Sequence, residues 1–197
     1  MTIEIKTNQV KELRDRTGIS IMQCRKALEE AAGDMEKAII ILQKQSKGIA
    51  VKKAERTLGS GVISSYIHGA GTVGVMVELM CETDFVAKNE AFKALAHDIA
   101  MHIAATNPEY LKKEDINAEA RAKVAEVLAD EVKDKPENMR EKILEGKLNA
   151  YFAERILLDQ PFVKDQNVTI SAMIESAIQK FGERIEVGRF ARFSTAR

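Results

Sequence analysis

Two apolar periodicities of different length meet near residue 82, and their meeting limits what this chain can fold into. Val73, Val75, Val77 and Leu79 alternate with polar or small residues, the period of a half-buried strand. Phe92, Leu95, Ala96, Ile99 and Ile103 recur at helical spacing. The backbone must therefore change from strand to helix across Cys81-Glu82-Thr83-Asp84-Phe85-Val86-Ala87-Lys88-Asn89. Such junctions lie at the surface and suit contact with a partner. This one sets the Asp84 carboxylate beside the Phe85 ring, with no nucleophile and no metal-ligand cluster nearby. Two readings of it stand open. On the first, Thr83 caps a helix, Asp84 sits in its first turn, where the helix dipole favours an acid, and Phe85 is core. On the second, Asp84 and Phe85 project together toward a partner.

Before the junction, residues 61–68 and 72–80 alternate well enough for two strands, and Gly69-Ala70-Gly71 has hairpin spacing. The segment also spells the dinucleotide fingerprint with Gly69, Gly71 and Gly74. That fingerprint needs a helix opening at its third glycine, and Val75-Met76-Val77-Glu78-Leu79 reads as strand. A cofactor role is rejected, and no cofactor is expected. After the junction one long helix is expected to run to about Asn107-Pro108. Asn117 and Pro136 begin two charged helices, the second ending at Gly146, with residues 151–158 following. Gln160-Pro161 breaks the pattern, and Ser171 opens a helix stopped by Gly182. Ile185-Glu186-Val187-Gly188-Arg189-Phe190 reads as a last strand, with Gly188 a bulge because the alternation slips there.

The first 46 residues read as three short helices. Thr7 reads as the cap of one carrying Val10 and Leu13. Ser20, with Gln23 as a capping box, opens a second with Ile21, Cys24, Ala27 and Leu28. Asp34 caps a third. The basic stretch of Lys44, Lys47, Lys52, Lys53 and Arg56 reads as a solvated linker rather than a contact for an acidic partner surface. The fold class is therefore α+β: a three-helix, ubiquitin-associated-like bundle over residues 1–46, a linker over 47–58, and an α+β core over 59–197. That core holds a small antiparallel sheet, three strands, with helices on one side.

Composition removes several function classes. Thirty basic and thirty acidic side chains cancel, so no whole-chain field draws nucleic acid or an anionic membrane. Nothing approaches the run of about 18 apolar residues that a membrane span needs. Cys24 and Cys81 lie far apart, near no other metal-ligand candidate, and read as reduced thiols. No metal site is expected. His68 stands alone, and His97 and His102, five residues apart on a helix, point in different directions. The bundle holds no acid/base pair or nucleophile, and an enzyme reading would rest on the rejected glycines of 69–74, so the chain is not expected to be an enzyme. The N-terminus lacks an apolar signal region, and the expected location is the cytoplasm or the matrix or stroma of an organelle.

Several blocks in order carry a family resemblance. They are Val10-Lys11-Glu12-Leu13-Arg14 with Thr17-Gly18, then Cys24-Arg25-Lys26-Ala27-Leu28 and Gly33-Asp34. Next come Glu78-Leu79 with Cys81-Glu82-Thr83-Asp84-Phe85-Val86-Ala87, then Ala100-Met101-His102-Ile103-Ala104, Gly146-Lys147-Leu148 and Gln160-Pro161-Phe162-Val163. Together they resemble the elongation factor Ts family, guanine-nucleotide exchange factors for elongation factor Tu, in its short form.

The resemblance implies a partner, a lever and an anchor. The partner is elongation factor Tu. The lever is Thr83, Asp84, Phe85 and Val86, with Asp84 and Phe85 pushed toward the GTPase's magnesium and phosphate site. The anchor is the N-terminal domain through Leu13, Arg14, Ile21 and Met22, where Ile21 stands at a position often Met in the family. It also implies a homodimer, since this chain has room for one of the two core halves that longer members carry. The last strand, with Val187, Phe190 and Phe193, is a candidate for that contact. On the resemblance, Phe85 is functional. The competing classes are a ubiquitin-associated-like adaptor or a ribosome-associated chaperone without exchange activity. Neither has need of Asp84-Phe85.

Overall fold

The computed structural model describes residues 5–134 and 136–195. The outer limits of the expected domains, at residues 1 and 197, lie outside the described residues. Three helices open the chain: α1 (Thr7–Thr17), α2 (Ile21–Glu30) and α3 (Met35–Lys53). Lys6 rather than Thr7 is the first cap. Ser20 and Asp34 cap the next two through the backbone N–H groups of Gln23 and Lys37, as their spacing predicts. Val10, Leu13, Cys24, Ala27, Leu28, Ala38 and Leu42 form the bundle's own small core.

The third helix does not stop at residue 46. It runs through most of the basic segment to Lys53. Ile49 and Ala50 turn inward and pack against the main core, while Lys47 and Lys52 stay in water. Gly48 sits where a side chain would meet nothing within 4 Å, so it lowers helix propensity without breaking the helix.

The main core is built on the antiparallel sheet β1 (Ser60–His68), β2 (Val73–Cys81) and β5 (Ile185–Ser194), with β2 in the centre. Val75, Val77, Leu79 and Cys81 turn to one face. There they meet Phe92, Ala96, Ile99 and Ile103 of α5 (Glu90–Thr106) and Ile170, Ile174, Ala177 and Ile178 of α8 (Ile170–Phe181). Gly188 is the expected bulge: Glu78 pairs with Arg189 and Leu79 with Val187, which leaves Gly188 over. At Gly61 the strands approach so closely that a Cβ would lie 2.6 Å from the Leu79 carbonyl oxygen, so only glycine fits.

The sheet's other face is left open. Ile63 and Ile67 of β1, Met76 of β2 and Phe193 of β5 are exposed on it. Of the three residues expected to mark this surface on the last strand, only Phe193 does so. Val187 is buried and Phe190 packs against the main core, because the bulge between them resets which side chains turn inward.

Several boundaries differ from the sequence pattern. The helix after the junction is two: α4 (Asp84–Ala87) and α5, which restarts at Asn89, whose side chain accepts the Ala91 N–H. Helix α6 (Ala118–Asp130) starts at the Asn117 cap, whereas α7 (Glu137–Ala153) passes through Gly146, again an open position. Thr169, not Ser171, caps α8. A two-stranded ribbon, β3 (Pro161–Phe162) with β4 (Asp165–Thr169), carries no apolar alternation and was not expected.

A buried polar site joins α5 to the chain after α7. The His102 Nε2–H donates to Gln160 Oε1 at 2.9 Å. Gln160 Nε2 donates to the Glu154 carbonyl at 2.6 Å, which fixes the amide orientation and so the proton on Nε2. His102 Nδ1 is buried without a hydrogen-bond partner among the described residues. Burial pushes the His102 pKa down, against the smaller upward pull of Gln160. The fold therefore favours the neutral ring. The stability this gives is complete above the unfolded value of about 6.5 and is lost as pH falls from there toward the folded value. His102→Gln is expected to flatten the fall in unfolding free energy between about pH 7 and pH 5, read from melting curves, by up to ~1.4 kcal/mol per pH unit. Parallel melting curves for the two proteins would show that His102 does not set the slope.

Candidate partner-binding site

The junction forms a single helical turn whose two halves face opposite ways. The Thr83 Oγ1 accepts the Val86 N–H at 3.5 Å, and the Ala87 N–H donates to the Thr83 carbonyl at 3.2 Å. Val86 and Ala87 are buried in the main core and pin α4 to it. Phe85 points the other way and is 80% exposed, the most exposed large apolar side chain among the described residues. A cap at Thr83 and an acid in the first turn are both present, yet the ring is not core.

Asp84 lies beside it in water. Lys88 Nζ reaches its carboxylate at 2.6 Å, one turn on. That hydrogen bond and the Lys88 charge hold the Asp84 carboxyl below the usual range, so it is ionised at neutral pH. Both partners are exposed and screened by water, so the pair contributes little to stability. Asp84 can therefore exchange Lys88 for another cation at little cost.

The preceding residues are firmly held. The Cys81 thiol donates to the Thr83 carbonyl at 3.1 Å, and burial pushes its pKa up, so it is an unreactive thiol. Glu82 accepts the Arg184 backbone N–H at 2.6 Å and meets Arg56 Nη1 at 3.3 Å. The Arg184 bond, with Arg56 adding to it, holds the Glu82 carboxyl below its ordinary range.

The structure thus splits the four junction residues. Thr83, Asp84 and Phe85 are exposed, whereas Val86 is 4% exposed and offers a partner almost nothing. The N-terminal set divides likewise. Ile21 is 56% and Met22 73% exposed on α2, and Arg14 is exposed on α1. Leu13 has no exposed surface; it holds the bundle together. The hairpin glycines 69–74 lie in a turn and at the start of β2, and no helix opens at Gly74. Among the described residues, no group of three or more His, Cys, Asp or Glu side chains could hold a metal ion, and no helix is long and apolar enough to cross a membrane.

The family model for Elongation factor TS matches residues 8–197. The chain belongs to the elongation factor Ts family. Among relatives in that family, Elongation factor Ts of Thermosipho melanesiensis is 50% identical over 192 residues, covering 96% of this chain and 98% of the relative. That of Desulforamulus reducens is 48% identical over 192 residues, covering 96% of this chain and 88% of the relative. That of Thermotoga petrophila is 46% identical over 191 residues. The match spans both the bundle and the core, and so includes the exposed pair on α4 and the exposed residues of α2.

Proposed function

We propose that this chain is a guanine-nucleotide exchange factor for elongation factor Tu, and a binding protein, not an enzyme. The observation that carries the reading is the exposure of Phe85 on a turn whose next two residues are buried. A large ring held in water by a capped turn costs solubility and gains the fold nothing; it is explained by a surface that receives it. Asp84 beside it supplies a carboxylate where a GTPase holds Mg²⁺ and phosphate.

Linkage gives the mechanism. A partner that binds the nucleotide-free GTPase better than the GDP-loaded form weakens GDP binding by the same factor. Burying a phenylalanine contributes about 1.5–3 kcal/mol, and about 1.4 kcal/mol is a tenfold change in affinity. One ring therefore provides a ten- to hundredfold lever, provided it is buried only when the magnesium and phosphate site is disturbed. Arg14, Ile21 and Met22 supply anchoring contacts from the bundle. The setting is translation elongation in the cytoplasm or an organelle's matrix, without direct contact to nucleic acid or membrane. A second copy of the chain covers the open sheet face, making a homodimer.

Release of labelled GDP from elongation factor Tu tests the reading. Substoichiometric amounts of this protein are expected to accelerate release catalytically, by at least about tenfold. Unchanged release at micromolar protein would leave an adaptor without exchange activity.

A further inference from the structure

A single-turn helix cannot hold its own direction. Its few hydrogen bonds do not repay the ordering of its backbone, so α4 depends on what grips its ends. Val86 and Ala87 grip the C-terminal end from the core. The N-terminal end is gripped by a residue 100 positions away in sequence. Glu183, in the turn between α8 and β5, accepts the Glu82 and Thr83 backbone N–H groups on Oε2 at 3.1 and 3.0 Å. Its Oε1 accepts the Thr83 hydroxyl at 2.6 Å. One carboxylate thus takes three donors, all from the two residues that lead into the Asp84-Phe85 turn.

The same turn is tied to the end of α3. Lys53 Nζ donates to the Gly182 carbonyl at 2.7 Å, and the Arg184 guanidinium donates to the Arg56 carbonyl. Arg184 N–H and Arg56 in turn both hold Glu82. The helix that begins in the bundle therefore ends on the brace that holds the exposed ring.

We propose that Glu183 is a positioning residue for nucleotide exchange. By fixing the entry to α4, it sets the direction in which Phe85 and Asp84 project. The proposal rests on the exchange reading above. Preorganisation lowers the ordering cost at the moment of engagement. A loosened turn still docks through the rest of the interface, but it delivers the ring to the GTPase less often.

The test is the maximal rate of GDP release from elongation factor Tu, measured across exchange-factor concentration for the full chain. Glu183→Ala is expected to lower the maximal rate about tenfold and to change the half-saturating concentration less than about twofold. Glu183→Gln should restore most of the rate. Its carbonyl can accept the two backbone N–H groups, and its amide can donate to the Thr83 hydroxyl. Glu183→Asp, a methylene too short, should behave like alanine and serves if the alanine protein does not fold. Amide hydrogen exchange at Glu82 and Thr83 should quicken in Glu183→Ala and Glu183→Asp and stay slow in Glu183→Gln. In a double-mutant cycle, Glu183→Ala should cost less than about twofold once Phe85 is already alanine, because a brace has no effect without the ring it aims. An unchanged maximal rate, or additive losses in the cycle, would overturn the proposal. If Phe85→Ala itself left release unchanged, the exchange lever would fail. If Phe85→Ala were slow while Glu183→Ala and Glu183→Asp were normal, only the role of Glu183 would fail.

Discussion

Phe85→Ala is expected to slow stimulated GDP release by about ten- to a hundredfold, the value of one buried aromatic side chain, while the melting temperature moves by no more than about 1–2 °C. The two halves of this expectation come from one number. A ring 80% exposed in the free protein gives up little contact on truncation, so folding loses little. The same exposed surface is what a partner can bury. Asp84→Ala should cost exchange less, because taking a solvated carboxylate out of water offsets much of what it gains from a new partner, whereas burying the ring is favourable throughout. The experiment pairs labelled-GDP release with thermal melting of each variant. A fall of many degrees for Phe85→Ala would place the ring in the core and return α4 to an ordinary helix start.

The junction was legible because two clear periods meet there, and caps have a local chemistry. Thr83, Asn117, Ser20 and Asp34 each cap the helix their spacing predicts. The Gly188 bulge was legible for the same kind of reason, a slip in alternation. Boundaries failed where tertiary packing overrides local signals. The helix end placed at Gly146 failed because that glycine, like Gly48 in α3, sits on an open helix face where a missing side chain costs only propensity. The break at Asn89 was hidden because Val86 and Ala87 are apolar and continue the helical pattern, although they belong to a separate turn.

The site residues divide by a similar logic. A family motif is a contiguous block, and it mixes residues that touch a partner with residues that hold those in place. Val86 and Leu13 are of the second kind, and helical periodicity had already assigned Leu13 to the bundle interior. Glu183 gave no signal at all. It is an acidic residue in a turn, and its three hydrogen bonds reach across 100 residues of chain that no periodicity connects.

Met76→Asp is expected to turn a reductant-insensitive homodimer into a folded monomer. Ile63, Ile67, Met76 and Phe193 are 59%, 63%, 50% and 70% exposed on the sheet face opposite the helices. The register clusters them: Ile67 and Phe193 both lie opposite Gly74, and Met76 lies between Ser65 and Ala191. Antiparallel sheets with one solvated face normally carry polar residues there, so an apolar cluster on the open face marks a surface that is covered in use. The α6–α7 pair does not cover it, since it packs around Leu148, Phe152 and Ile156 in a separate cluster. A second copy is the simplest cover, because a two-fold axis matches the patch to itself. No disulfide supports the contact: Cys24 and Cys81 are buried in the two cores. An aspartate at position 76 would bring two carboxylates, one from each copy, into an apolar interface. Burying unpaired charge costs several kcal/mol, enough to weaken association by about a thousandfold or more. The free protein should tolerate the change, because Met76 faces water there. Light scattering at low micromolar concentration should give twice the 21.9 kDa chain mass for the unaltered protein, with and without reductant, and 21.9 kDa for Met76→Asp. A mass of 21.9 kDa for the unaltered chain under both conditions would leave the sheet face to another partner.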